Sequence, residues 1–105
     1  MSSYNKLVRD KIPDIISKNG EKAIVKVLDD KNYKEELDRK LLEEINEYLE
    51  SDDLEELADA IEVLYAILNY KKVSFDELEK VRENKKQKRG AFEDKLYLVG
   101  VEKDQ

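Results

Sequence analysis

The chain has 105 residues and a formal net charge of −6; 44% of its positions are charged and 40% apolar, so it can bury one modest core. Neither cysteine nor histidine occurs, which excludes disulfides, thiolate or imidazole metal sites, Ser-His and Cys-His nucleophiles, and the Glu-x-x-His pairs of di-iron carboxylate bundles. The acidic balance disfavours nucleic acid as a partner, no apolar run is long enough for a membrane span, and the polar first residues lack the apolar stretch of a signal peptide, so a soluble, cytoplasmic protein is expected.

One domain over 1–105 is expected, because no repeat, linker or low-complexity stretch interrupts the chain and proline occurs once, at Pro13. Pro13 suits a first helical position and Asn19-Gly20 is a stop signal, which predicts a short helix over about 13–18. Residues 23–28, Ala-Ile-Val-Lys-Val-Leu, are β-branched and read as a strand, as do residues 95–101, Lys-Leu-Tyr-Leu-Val-Gly-Val. Two lone strands must pair with each other or with a partner chain.

Three longer helices are predicted between them. In the first, over about 33–50, Leu37, Leu41, Leu42, Ile45, Tyr48 and Leu49 recur at spacings of three and four. Asp38 falls within that stripe and is expected near an open helix end. The second, over about 53–70, carries Leu54, Leu57, Ile61, Leu64 and Leu68 on one face and Ala60, Val63 and Ile67 on another. A helix apolar on two sides is buried on two sides, which in a small chain implies a second subunit, as a homodimer or homotetramer. The third begins at Ser74, where Ser74 and Glu77 form a capping box, and ends at Gly90. The fold class read from these elements is all-α, an antiparallel helical bundle with a small β pairing of about 23–28 with 95–101.

The chemistry-bearing residues are Glu43-Glu44-Ile45-Asn46-Glu47 on the first long helix and Glu56-Leu57-Ala58-Asp59 on the next. Residues three apart share a helix face, so Glu44 pairs with Glu47 and Glu56 with Asp59. The Ser51-Asp52-Asp53 turn between them is short, and short links make antiparallel neighbours. Acids fill 26 of 105 positions, so a lone Glu-x-x-Glu says almost nothing, and a solvated acidic face is the bland alternative. Helical phase sharpens the choice. At about 100° per residue, Glu44 lies beside the apolar stripe and Glu47 just beyond it, whereas Glu43 and Glu50 point away. Glu56 and Asp59 share a side with Ala60, Val63 and Ile67, although acids at a helix start also favour the dipole. Four carboxylates brought close repel without a cation, and hard oxygen donors favour Mg2+, with Mn2+ or calcium as alternatives.

These segments resemble a known family. Lys40 to Glu47 followed by Glu55-Glu56-Leu57-Ala58-Asp59 is similar to the Glu-Glu-x-x-Glu…Glu-x-x-Asp motif of the all-α NTP pyrophosphohydrolases, which include MazG proteins, phosphoribosyl-ATP pyrophosphohydrolases and dimeric dUTPases. Tyr4 to Pro13 and Lys88-Arg89-Gly90-Ala91-Phe92 resemble its small house-cleaning subgroup. Only eight residues separate Glu47 from Glu56, fewer than in many members, and Gly90-Ala91 stands where relatives carry a Gly-Gly. The resemblance implies a bundle of the all-α NTP pyrophosphatase type. It also implies Mg2+ held by Glu44, Glu47, Glu56 and Asp59, and hydrolysis of a nucleoside triphosphate to monophosphate and pyrophosphate. Glu44 or Glu47 would be the general base. Phosphoribosyl-ATP is the rival substrate, and a non-catalytic helical oligomerisation module the rival class.

A triphosphate needs further cations. Arg9, Lys85 and Arg89 are the candidate substrate-binding residues, among the basic sets Lys6/Arg9/Lys11 and Arg82/Lys85/Lys86/Arg89. The bland reading gives the second set to the helix macrodipole and to solubility. Tyr4, Tyr33, Tyr70 and Phe92 are candidates to stack on a base, whereas Tyr48 and Tyr65 read as core.

Overall fold

The computed structural model describes residues 5–103, which contain four helices and no strand. They are α1 (Ile12–Lys18), α2 (Asp30–Ser51), α3 (Leu54–Lys71) and α4 (Phe75–Arg89). The protein is all-α. Among the described residues, no helix is long and apolar enough to cross a membrane. The chain divides into two compact units, Met1–Val73 and Ser74–Gln105.

The first unit holds α1, α2 and α3. Pro13 sits in the first turn of α1, and Gly20, at φ 84°, takes the left-handed turn that ends it. Helix α2 starts three residues earlier than the periodicity predicts, because the Asp29 side chain accepts a hydrogen bond from the Asn32 N–H at 2.8 Å and caps the first turn. Asp38 therefore lies inside the helix rather than near an open end. It is solvent-exposed and pairs with Lys34 one turn back.

Only Asp52 and Asp53 separate α2 from α3. Asp52 adopts φ 59°, a left-handed conformation that Asp tolerates better than most residues, and donates its N–H to the Tyr48 carbonyl at 2.7 Å. The Ser51 hydroxyl accepts from the Asp53 N–H at 3.1 Å. The chain thus reverses within one turn. Tyr33 near the start of α2 meets Tyr70 near the end of α3, edge to face, with ring centroids 6.1 Å apart, so the two helices run in opposite directions. Among the described residues, Leu37 and Val63, at 1% and 8% exposure, are the buried apolar side chains.

Tyr65 is not core as its place in the pattern predicts. It is 41% exposed, on the side of α3 that also exposes Leu54, Leu57, Ile61 and Leu64, whereas Val63 takes the packed side. Tyr48 is half-buried.

In the second unit, the Ser74 hydroxyl accepts from the Glu77 N–H at 3.1 Å to start α4. Gly90, at φ 85°, ends it by donating to the Lys86 carbonyl at 2.7 Å. Residues 23–28 and 95–101 form no ladder among the described residues, and Ile24, Val25, Val27 and Leu96 to Val99 stand exposed.

Candidate metal centre

The packed face of the α2–α3 pair has carboxylates where its apolar stripe ends. Glu44 lies seven residues after Leu37, two helical turns along the same face, and is buried at 5% exposure. On α3, Glu56 and Asp59 precede Val63 by seven and four residues, so they line the same side. The antiparallel packing brings one carboxylate oxygen each of Glu44, Glu56 and Asp59 within 4.8 Å of one another. These are three of the four acids that the helical phase singles out.

Glu47 stands one step outside this trio. Its charge adjoins the Glu44 carboxyl. It also borders a shallow depression on α2 with Arg39 and Glu43. Glu43 is half-buried and neutralised, with Lys40 Nζ at 3.5 Å and Lys6 Nζ at 3.6 Å.

The electrostatics of the trio are unbalanced. Glu44 Oε2 and Glu56 Oε2 are buried and accept no hydrogen bond, a costly state for a carboxylate. Burial pushes the Glu44 carboxyl above its ordinary pKa, the neighbouring Glu47 charge adds to this, and Lys40 pulls the other way. Among the described residues, two side-chain cations reach the trio. Lys40 Nζ lies 3.4 Å from Glu44 Oε1, and Arg9 Nη2 donates to Asp59 Oδ1 at 2.7 Å.

A cleft of about 420 Å³ opens beside Glu44 and Asp59. The segment from Leu7 to Lys11 forms one wall, and Tyr33, Lys40, Glu62 and Val63 contribute the other. Arg9 is thus placed at the acids, as its candidacy for substrate binding requires, and Lys11 lines the same cleft. Tyr33 also lines it, held edge to face by Tyr70; Tyr4 lies outside the described residues. Lys85 and Arg89 are on α4, in the second unit, where both are exposed. Arg82 on that helix is engaged locally, with its guanidinium on Glu79 at 2.8 Å and Glu83 at 2.9 Å. Phe92 is also in the second unit and fully exposed.

Two cleft residues escape a reading of the acidic motif alone. Lys40 is four residues before Glu44, the spacing of a helical ion pair, and Glu62 is three after Asp59. Both signals are common enough in so charged a chain to pass unnoticed.

Set against family models, curated proteins and solved structures, the chain matches none. The residues fit a hard divalent cation on chemical grounds: oxygen donors only, three of them converging, two oxygens buried without a partner.

Proposed function

We propose that this protein is a magnesium-dependent nucleoside-triphosphate pyrophosphohydrolase, of the kind that removes non-canonical nucleotides. The observation that carries the reading is the pair of buried, unpartnered oxygens on Glu44 and Glu56 beside Asp59. Leaving such groups unmatched destabilises the fold, and a solvated acidic face has no such groups. Glu44, Glu56 and Asp59, joined by Glu47, are the proposed Mg2+ ligands, with Mn2+ as an alternative. A bound divalent ion supplies charge neutralisation at the phosphate oxygens and activates water.

The protein's own residues divide the remaining work. Glu44 or Glu47, whichever is less engaged by the ion, accepts the proton of the attacking water. Water adds at the α-phosphorus as its bond to the β-bridging oxygen breaks, giving a nucleoside monophosphate and pyrophosphate. Arg9 offers a planar donor fork to phosphate oxygens. Tyr33, in the wall of the cleft, has a ring face to offer a base.

A second reading has an observation of its own. Leu42, Ile45 and Leu49 on α2 and Leu54, Leu57, Ile61 and Leu64 on α3 are all at least 40% exposed. Such a surface suits burial against another copy of the chain, as a homodimer or homotetramer. Self-association is compatible with the enzyme and would be the whole function of a helical interaction module.

The deciding experiment screens standard and modified nucleoside triphosphates, with phosphoribosyl-ATP, for pyrophosphate release. The enzyme reading expects release that needs Mg2+ and is lost in Glu56→Gln and Asp59→Asn. No release from any substrate, together with a melting temperature indifferent to Mg2+, leaves only the module.

A further inference from the structure

Among the described residues, the three clustered carboxylates are served by two cations, and the two are not equivalent. Lys40 belongs to α2, one turn before Glu44, and is held beside it by the helix they share. Arg9 comes from the non-helical segment before α1 and meets Asp59 across 50 residues of sequence. Its backbone is anchored, since the Arg9 carbonyl accepts from the Ile12 N–H at 3.1 Å. Its side chain is 56% exposed, so the guanidinium can leave Asp59 for water without crossing a packed layer.

Asp59 Oδ1 accepts from Arg9 at 2.7 Å, and Asp59 is also one of the three residues able to converge on a cation. A dication within reach of that carboxylate repels the guanidinium and competes for the same oxygen lone pairs. We infer that Arg9 is the resident occupant of the cation site: it neutralises Asp59 until a divalent ion displaces it, and the freed guanidinium, tethered at the cleft wall, then clamps the phosphate chain. The inference rests on the divalent-cation reading above and adds an order of events. Cation binding unmasks the anion-binding arginine, so anion affinity rises with cation occupancy, and by linkage the anion tightens the cation in return. A guanidinium suits both tasks, since its donor fork matches a carboxylate and a phosphate alike.

The test is calorimetric and needs no turnover. Mn2+ is titrated into the wild type, Arg9→Gln and Arg9→Lys, each checked for helical content. Inorganic pyrophosphate is then titrated with Mn2+ absent and saturating. Loss of an exposed ion-pair competitor should tighten Mn2+ binding in Arg9→Gln by about two- to fivefold, with Arg9→Lys close to the wild type. In the wild type, saturating Mn2+ should strengthen pyrophosphate binding, and Arg9→Gln should lose most of that gain. Mn2+ affinity in Arg9→Gln equal to or below that of the wild type overturns the displacement while leaving the metal reading intact. A wild type that binds no Mn2+ overturns both.

Discussion

Glu44→Gln isolates the cost of the buried charge. The amide keeps the shape of the side chain, removes its charge and supplies N–H donors to an oxygen-rich site. In the absence of metal, the wild type carries a carboxylate at 5% exposure with Oε2 unpartnered and Glu47 alongside. An unsatisfied buried polar group costs about 1–3 kcal/mol. Against this stands the lost attraction to Lys40 Nζ at 3.4 Å, a contribution of about 1 kcal/mol, since Lys40 keeps Glu43 at 3.5 Å and is not left unpaired. The net expectation is that the variant is more stable by up to about 2 kcal/mol at pH 7, and 1 kcal/mol corresponds to roughly 4–8 °C in melting temperature for a domain of this size. Thermal melts followed by circular dichroism in a chelating buffer measure the difference. Mg2+ should reverse the order, because ligand at a hundred times its dissociation constant stabilises the wild type by about 2.7 kcal/mol, whereas the variant has lost a charged ligand. A variant that melts below the wild type in chelator would refute the reasoning, since it would make Glu44 an ordinary packed side chain whose charge is already satisfied.

Further expectations follow from the same geometry. Because the Glu44 pKa is raised on folding, the native state holds more protons than the unfolded chain, so metal-free stability is full below the ordinary carboxylate pKa of about 4.3 and is lost as pH rises through the raised value. Metal-free melts across pH should therefore show the gap between Glu44→Gln and the wild type widening upward, and a flat gap contradicts the shift. Leu37→Ala empties the most buried apolar position and should cost about 2–5 kcal/mol in denaturant unfolding; a loss under 1 kcal/mol would place the core elsewhere. Asp29→Ala removes the α2 cap and should cost about 1 kcal/mol by the same assay, so an unchanged midpoint would deny the cap any role. Replacing Leu42 and Leu49 together by Lys, on the exposed side of α2, should shift sedimentation toward monomer with helical content retained; an unchanged sedimentation profile removes that face from any self-association.

Much of this was readable from the residues because helices declare themselves through period and caps. Ser74 with Glu77, Pro13, Asn19-Gly20 and Gly90 mark boundaries by local hydrogen bonding and backbone conformation, and those boundaries lie within a residue or so of the observed ones. Asp29 is a capping residue by type, but the apolar period begins only at Tyr33, so periodicity alone places the helix start three residues late. The acidic trio was legible through phase: Glu44, beside the stripe of Leu37 and Leu41, is buried, while Glu50, opposite, is exposed. The contact between Arg9 and Asp59 was not legible, because it spans 50 residues and no periodicity links a non-helical segment to a helix. Residues 23–28 and 95–101 show the limit of composition. β-branched residues favour an extended backbone, but a ladder needs a partner edge that local sequence does not specify.

The weight of the acidic cluster comes from its cost rather than its charge. In a chain with 26 acidic residues, most carboxylates meet solvent or a neighbouring lysine and need no explanation, as Asp38 with Lys34 and Glu79 with Arg82 illustrate. Glu44 could have done the same from any other position around α2. Instead it lies on the packed face, where Leu or Ile would contribute burial energy without a penalty, and it faces Glu56 and Asp59 from the neighbouring helix. Hydrophobic packing gives no reason for three acids to converge there, and helix dipoles account at most for Glu56 in the first turn of α3. A cation gives a reason for all three at once. On the proposed cation reading, Arg9 and Lys40 take the ion's place while it is absent, one lysine fixed to the helix and one arginine with a side chain exposed enough to leave.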